Sequence, residues 1–81
     1  KDYSFANNNM VIIDKGRTHD EKSAVLIENG IYKGYCFFDL NYQITNIDIL
    51  RNLIISMQHN RDIKTIIQSY MKKHKVKVVS F

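Results

Sequence analysis

The chain has 81 residues, one cysteine and a formal net charge of +4. This length suits one small domain with a thin core, and a single cysteine excludes an internal disulfide framework. No apolar run approaches the roughly 18 residues of a membrane-spanning helix, so we expect a reduced, cytoplasmic protein with no membrane partner. Because the sequence begins at Lys1 without an initiator methionine, we also expect it to be a piece of a longer protein.

The positive charge is concentrated at the C-terminal end. Residues 1–62 carry seven basic and eight acidic residues, whereas residues 63–81 carry five lysines and no acid. Clustered lysine is the electrostatic pattern expected for phosphate contacts. The candidate nucleic-acid-binding residues are Lys64, Lys72, Lys73, Lys75 and Lys77, with Arg17 and Arg61 as contributors. A solvated basic face without a ligand and contact with an acidic protein surface are the alternatives.

Three β-prone runs occupy the N-terminal half. Residues 1–9 show no hydrophobic periodicity and are interpreted as a linker or frayed end, so that residues 10–81 form a single small domain. Strands are predicted at 10–14, 22–28 and 31–39, with a polar, charged loop between the first two. Because sequential strands are usually neighbours, we predict an antiparallel three-strand meander.

The dipeptide Asn29-Gly30 predicts a type I′ hairpin between the second and third strands. A two-residue loop pairs Ile27 with Tyr32 and Val25 with Gly34, and Gly34 there either admits a closely packed side chain or marks a bulge. The predicted core face carries Val25, Ile27, Tyr32, Gly34, Cys36 and Phe38.

The other face of this hairpin mixes Leu26, Tyr35 and Phe37 with charged residues. These three side chains are a candidate interaction face for the N-terminal segment, a neighbouring domain of the parent protein or a second copy of the chain. Exposed aromatic residues on a sheet are also what single-stranded nucleic-acid modules use to stack bases.

Two amphipathic helices and a last strand are predicted for the C-terminal half. Apolar residues recur at helical spacing over 46–58, where Thr45 or Asn46 can cap the first turn, and Asn60 can cap a second helix. The short connection favours an antiparallel helix pair on the core face of the sheet. Residues 76–81 are predicted to form an edge strand. The first strand is a candidate neighbour for it. The predicted class is α+β, an antiparallel meander packed against two antiparallel helices with a short C-terminal edge strand.

The sequence contains no residue pattern typical of a catalytic or metal site. The histidines His19, His59 and His74 lack a metal-ligand spacing, and Cys36 is expected to be a buried thiol. The carboxylates of Asp14, Asp20, Glu21 and Asp39 would suit Mg²⁺ only if the strands brought them together. We predict no catalytic residue, no metal and no cofactor, with metal-dependent hydrolysis around Asp14 as an alternative.

Three segments of the chain resemble one known family. Residues 12–35, residues 61–70 and the closing Lys77-Val-Val-Ser-Phe81 are similar to the C-terminal region of bacterial DNA polymerase III epsilon-subunit-like exonuclease proteins. In that family a DEDDh exonuclease domain is followed by a GIY-YIG, UvrC-like endonuclease module and then by a region of this kind. Neither nuclease motif can be placed on this sequence, since Gly30-Ile31-Tyr32 spells GIY only at the hairpin turn.

The resemblance implies a non-catalytic accessory domain of a DNA-processing nuclease. Its partners would be DNA, held through the basic C-terminal surface, and the neighbouring domains of the parent protein. The alternative is a protein interaction or homodimerisation module that uses the face of Leu26, Tyr35 and Phe37.

Overall fold

This computed structural model describes residues 9–40 and 47–81. Within them the chain forms five antiparallel strands and two helices. The elements are β1 (Met10–Lys15), β2 (Glu21–Glu28), β3 (Ile31–Asp39), α1 (Ile47–Leu53), β4 (Ile55–Ser56), α2 (Arg61–Lys73) and β5 (Lys77–Ser80). The strands form one sheet in the order β4-β3-β2-β1-β5. The predicted α+β class with its three-strand meander is confirmed, and the last strand lies at a sheet edge beside the first.

The hairpin turn forms where the sequence predicts it, but the register behind it shifts. Asn29 and Gly30 have φ angles of 54° and 76°, as a type I′ turn requires. Ile27 pairs with Tyr32, and Leu26 then pairs with Gly34, which leaves Lys33 as an unpaired bulge residue. One extra residue moves all later side chains of a strand to the other face. The predicted pairing of Val25 with Gly34 is therefore wrong, and Val25 pairs with Tyr35.

The two helices lie on opposite faces of the sheet. On the α2 face, Met10, Ile12, Ile27 and Tyr32 pack against Ile63, Ile67 and Met71 of α2. On the α1 face, Val11, Ala24, Leu26 and Cys36 pack against Leu50 of α1. Consecutive residues of a strand point to opposite faces, so the sheet separates the two helices. The prediction of an antiparallel helix pair on one face is wrong, because both faces of this sheet are apolar.

The first helix is shorter than predicted. It ends at Leu53, and the following Ile55–Ser56 forms β4, which pairs with Gly34 and Tyr35 of β3. α2 begins as expected, since the side chain of Asn60 accepts a hydrogen bond from the Ile63 amide at 2.8 Å. The predicted caps at 45 and 46 and the predicted linker up to residue 8 lie outside the described residues. Neither of the described helices is long and apolar enough to cross a membrane.

Candidate nucleic-acid interface

A cleft of about 350 Å³ opens at the end of the sheet that lies away from the Asn29-Gly30 turn. Its lining comes from the end of β1, the β1–β2 loop, the start of β2 and the segment that leads into β5. The charged lining residues are Lys15, Lys22, Lys75, Lys77, Asp14 and Glu21. With four lysines against two carboxylates, the cleft attracts anions.

Strand pairing places three of these lysines on the α1 face. Lys15 of β1 lies directly opposite Lys22 of β2. Lys77 of β5 lies opposite Ile13, two residues before Lys15 on the same strand. Residues two apart share a face, and Ile13 packs in the α1-face cluster. Like charges directly opposite each other destabilise a strand pair, and an anion bound between them would remove that repulsion.

Three lysines of the cleft form no ion pair with its carboxylates, while the charge of Lys15 helps to lower the pKa of Asp14. Among the residues that the structure describes, Lys22, Lys75 and Lys77 take part in no ion pair. Both carboxylates of the cleft have other partners. Asp14 accepts a hydrogen bond from the Tyr70 hydroxyl, and Glu21 accepts hydrogen bonds from Arg17. The ammonium groups of Lys22, Lys75 and Lys77 are therefore open to an external phosphate.

The contact between Tyr70 and Asp14 fixes the end of α2 beside β1. The hydrogen bond from the Tyr70 hydroxyl lowers the pKa of Asp14 and raises that of Tyr70. The ring of Tyr70 stacks on His74, the C-cap residue of α2, with centroids 4.1 Å apart. This arrangement directs the chain after α2 toward the cleft, where Lys75 and Lys77 lie.

Arg17 is held across the β1–β2 loop by Glu21. Its Nε and Nη2 donate to Glu21 Oε1 and Oε2 at 2.9 Å and 2.6 Å, and its backbone amide donates to Oε1 at 2.9 Å. The guanidinium carbon lies 4.2 Å from the centroid of the Phe37 ring. Since Glu21 already occupies one edge of the guanidinium, the geometry does not favour the predicted role of Arg17 as a phosphate ligand.

We expect Glu21 to titrate far below an ordinary glutamate. Hydrogen bonds from the side chain of Arg17 lower the pKa of Glu21 from 4.5 to about 2. A lowered folded-state pKa stabilises the fold above pH 4.5, and this contribution is lost as the pH falls from 4.5 to about 2. Carboxyl NMR titration measures the midpoint, and Arg17→Gln should return it toward 4.5. A wild-type midpoint near 4.5 would contradict the observed pair.

The basic residues predicted from the sequence do not form one surface. Lys75 and Lys77 line the cleft. Lys72 and Lys73 lie in the last turn of α2, next to it along the chain. Arg61 and Lys64 lie in the first turns of α2, and the helical rise separates Arg61 from Lys73 by roughly 18 Å. The candidate interface is therefore the cleft with Lys72 and Lys73 beside it.

Lys15 and Lys22 are not among the residues singled out from the sequence. Both flank the loop between the first two predicted strands, and antiparallel pairing of those strands places them opposite each other. The predicted first strand ends at residue 14 and no register was assigned between the first two strands, so the meander as predicted did not bring the two lysines together.

The predicted interaction face is divided between the two sides of the sheet. Leu26 is 2% exposed and packs under α1, whereas Tyr35 and Phe37 are half-buried on the α2 face. The bulge at Lys33 causes this separation. The two aromatic rings meet edge to face, with centroids 5.9 Å apart.

The described residues contain no group of three or more His, Cys, Asp or Glu side chains that could hold a metal ion. In particular, the four acids considered for Mg²⁺, Asp14, Asp20, Glu21 and Asp39, do not form one. Cys36 is buried as predicted, and its burial raises the pKa of the thiol.

No protein-family model, curated protein or solved structure matches the chain. A function must therefore be inferred from its own residues and their geometry.

Proposed function

We propose that this chain is a non-catalytic accessory domain of a DNA-processing nuclease, and that it holds the DNA backbone in the lysine cleft. The observation that carries the proposal is the convergence of Lys15, Lys22, Lys75 and Lys77 on one cleft. The resemblance of residues 12–35 and 61–70 to a region found in nuclease proteins supports DNA as the anion. We place the protein in the cytoplasm, in keeping with its one free, buried cysteine.

Lysine contacts to phosphates suit a positioning role. Each ammonium group is a compact charge with three N–H donors, and it can move to follow a flexible backbone. Such contacts fix the orientation of DNA but carry no sequence information. Binding is therefore expected to be independent of sequence, as is appropriate for a domain that presents DNA to the catalytic domains of its parent protein.

Removing lysines from the cleft is expected to weaken DNA binding and to reduce its dependence on salt. With labelled DNA and fluorescence anisotropy at several salt concentrations, Lys22→Gln should lower the slope of log Kd against log salt by about 1. The combined change of Lys15, Lys22, Lys75 and Lys77 to Gln should lower the slope by about 3 to 4, because each phosphate contact releases counterions.

The matched control for this series is Lys33→Gln. Lys33 is an exposed lysine at the bulge near the other end of the sheet, so this change removes the same charge away from the cleft. It should leave the slope almost unchanged. Absence of binding by the wild type at low salt would refute the proposed function, and an equal effect of Lys33→Gln would refute the cleft as the binding site.

A second candidate function is a protein interaction or homodimerisation module. It is favoured by three exposed apolar residues in and next to β4, Leu53, Ile55 and Met57, in a stretch from Asn52 to Gln58 that carries no charge. These residues replace the predicted face of Leu26, Tyr35 and Phe37. Sedimentation velocity separates the two candidates. A chain that stays monomeric at all concentrations and shows no affinity for the parent's other domains would refute the interaction module.

A further inference from the structure

The guanidinium of Arg17 is a flat, exposed group that is fixed in position. Its side chain is 67% exposed, although Glu21 holds it through two side-chain hydrogen bonds. The Phe37 ring lies against one side of it, 4.2 Å from the guanidinium carbon to the ring centroid, and the Tyr35 and Phe37 rings meet edge to face. With Phe37 on one side and this degree of exposure, the opposite face of the guanidinium is open to solvent.

An open guanidinium plane can stack on another planar group. Arginine stacks on aromatic faces, and unpaired nucleobases stack on guanidinium planes in RNA recognition. Stacking does not require the N–H donors that Glu21 occupies, so the ion pair and a stacked base are compatible. The hydrogen bonds to Glu21 also restrict the side chain before binding, which reduces the entropy that binding would otherwise cost.

The loop that carries Arg17 borders the lysine cleft, although Arg17 itself does not line it. Glu21, which holds Arg17, also lines the cleft, as do Thr18 and His19 of the same loop. Arg17 itself lies over Phe37 on the α2 face, whereas Lys15 and Lys22 lie on the α1 face, so the two sites flank the same end of the sheet. A strand whose phosphates lie on the lysines would pass over the β1–β2 loop to place a base on Arg17.

We propose that Arg17 stacks on an unpaired nucleobase, so that the nucleic acid bound by this domain is single-stranded where it passes the β1–β2 loop. This inference rests on the proposed function, since the phosphates are held by the lysine cleft. A base in a duplex is stacked on both sides and paired at its edge, so turning it onto Arg17 carries a free-energy cost of unpairing and unstacking that an already unpaired base does not carry. Phosphates supply the charge-dependent binding, and Arg17 supplies the preference for single strands.

The test compares three labelled ligands of equal length with the full chain: a single-stranded oligothymidylate, an abasic single strand with the same phosphates, and a duplex. The wild type should bind the oligothymidylate at least about fivefold more tightly than the abasic strand, as expected for one stacked base. Arg17→Lys keeps the charge but removes the plane, so the affinity ratio should fall toward 1. The oligothymidylate should also bind more tightly than the duplex.

The matched control is Arg51→Lys, the same change at an arginine of α1 that is paired with Glu28 of β2 and Asp48 of α1, outside the cleft. This variant should keep the wild-type ratio. A wild-type ratio near 1, an unchanged ratio in folded Arg17→Lys, or equal affinity for duplex and single strand would each overturn the inference. If Arg17→Lys does not fold, the inference is tested by the wild-type affinity for the oligothymidylate relative to the abasic strand and relative to the duplex. Failure of every ligand to bind at low salt would instead refute the proposed function.

Discussion

Replacing Gly34 by alanine is expected to lower the free energy of unfolding by about 3 kcal/mol or more, a large share of the total for a domain of this size. Gly34 has a φ of 146°, which side-chain-bearing residues rarely adopt. An added Cβ would lie 2.7 Å from Ile54 Cγ2 and would clash with the carbonyl oxygen of Ile55. Because Ile55 belongs to β4, relief of the clash would disrupt the pairing of β4 with β3. Urea unfolding followed by circular dichroism measures the loss.

The control for this substitution is Gly30→Asn. Gly30 also has a positive φ, but its value of 76° lies near the left-handed region that asparagine tolerates in hairpin turns. We expect Gly30→Asn to cost less than about 1 kcal/mol. If both variants lose the same stability, the close approach of Gly34 to β4 is not the reason for the glycine.

Leu26→Ala is expected to cost about 2 to 5 kcal/mol, as for other large-to-small changes in a packed core. Leu26 is 2% exposed and packs with Val11 of β1 and Leu50 of α1. The truncation would leave a cavity between the sheet and α1, and α1 has only seven residues with which to close it. Denaturant unfolding at constant m-value would report this loss directly.

Leu53→Ala is the matched control, since it is the same change at a leucine that is 39% exposed. It should cost less than about 1 kcal/mol. A small loss for Leu26→Ala, similar to that for Leu53→Ala, would mean that Leu26 faces solvent, as it would if both helices covered the opposite face of the sheet.

The hairpin turn could be predicted from sequence because its determinant is local. Asn29 and Gly30 both tolerate positive φ, and neighbouring β-prone runs complete the pattern. The face of each later β3 side chain depends instead on a single bulge residue, Lys33. Nothing in the side chain of a lysine indicates that it occupies a bulge. The glycine that follows was the available indication, since a glycine inside a strand often accompanies a bulge or a close backbone approach, and Gly34 does both.

The placement of the helices was harder to predict, because an amphipathic pattern shows which face of a helix is buried but not which side of a sheet it covers. Four consecutive apolar residues in Met10–Ile13 indicated a strand buried on both faces, and the two core clusters take alternate residues from this run. The error at the end of α1 has a similar cause. Ile54 and Ile55 fit a helical repeat and an extended strand equally well, and periodicity alone cannot decide between them.

The candidate site was predictable only in part. Charge asymmetry along the chain identified Lys75 and Lys77, which line the cleft, but it could not show that Lys64 lies near the start of α2 while the cleft lies beyond the end of that helix. Lys15 and Lys22 join the cleft through strand register. The position of Arg17 depends on a carboxylate four residues away and on an aromatic ring from another strand. Such relations follow from tertiary structure, which composition does not encode.

The pairing of β5 with β1 joins Met10 to Ser80, about seventy residues apart in the chain. Closing so long a loop costs more entropy than forming a hairpin, and non-local contacts of this kind slow folding. This pairing places Lys77 at the cleft, and Lys75 lies in the segment that leads into β5. The cleft is therefore expected to assemble last during folding, and an anion that binds it selects molecules whose sheet is complete and shifts the folding equilibrium toward them.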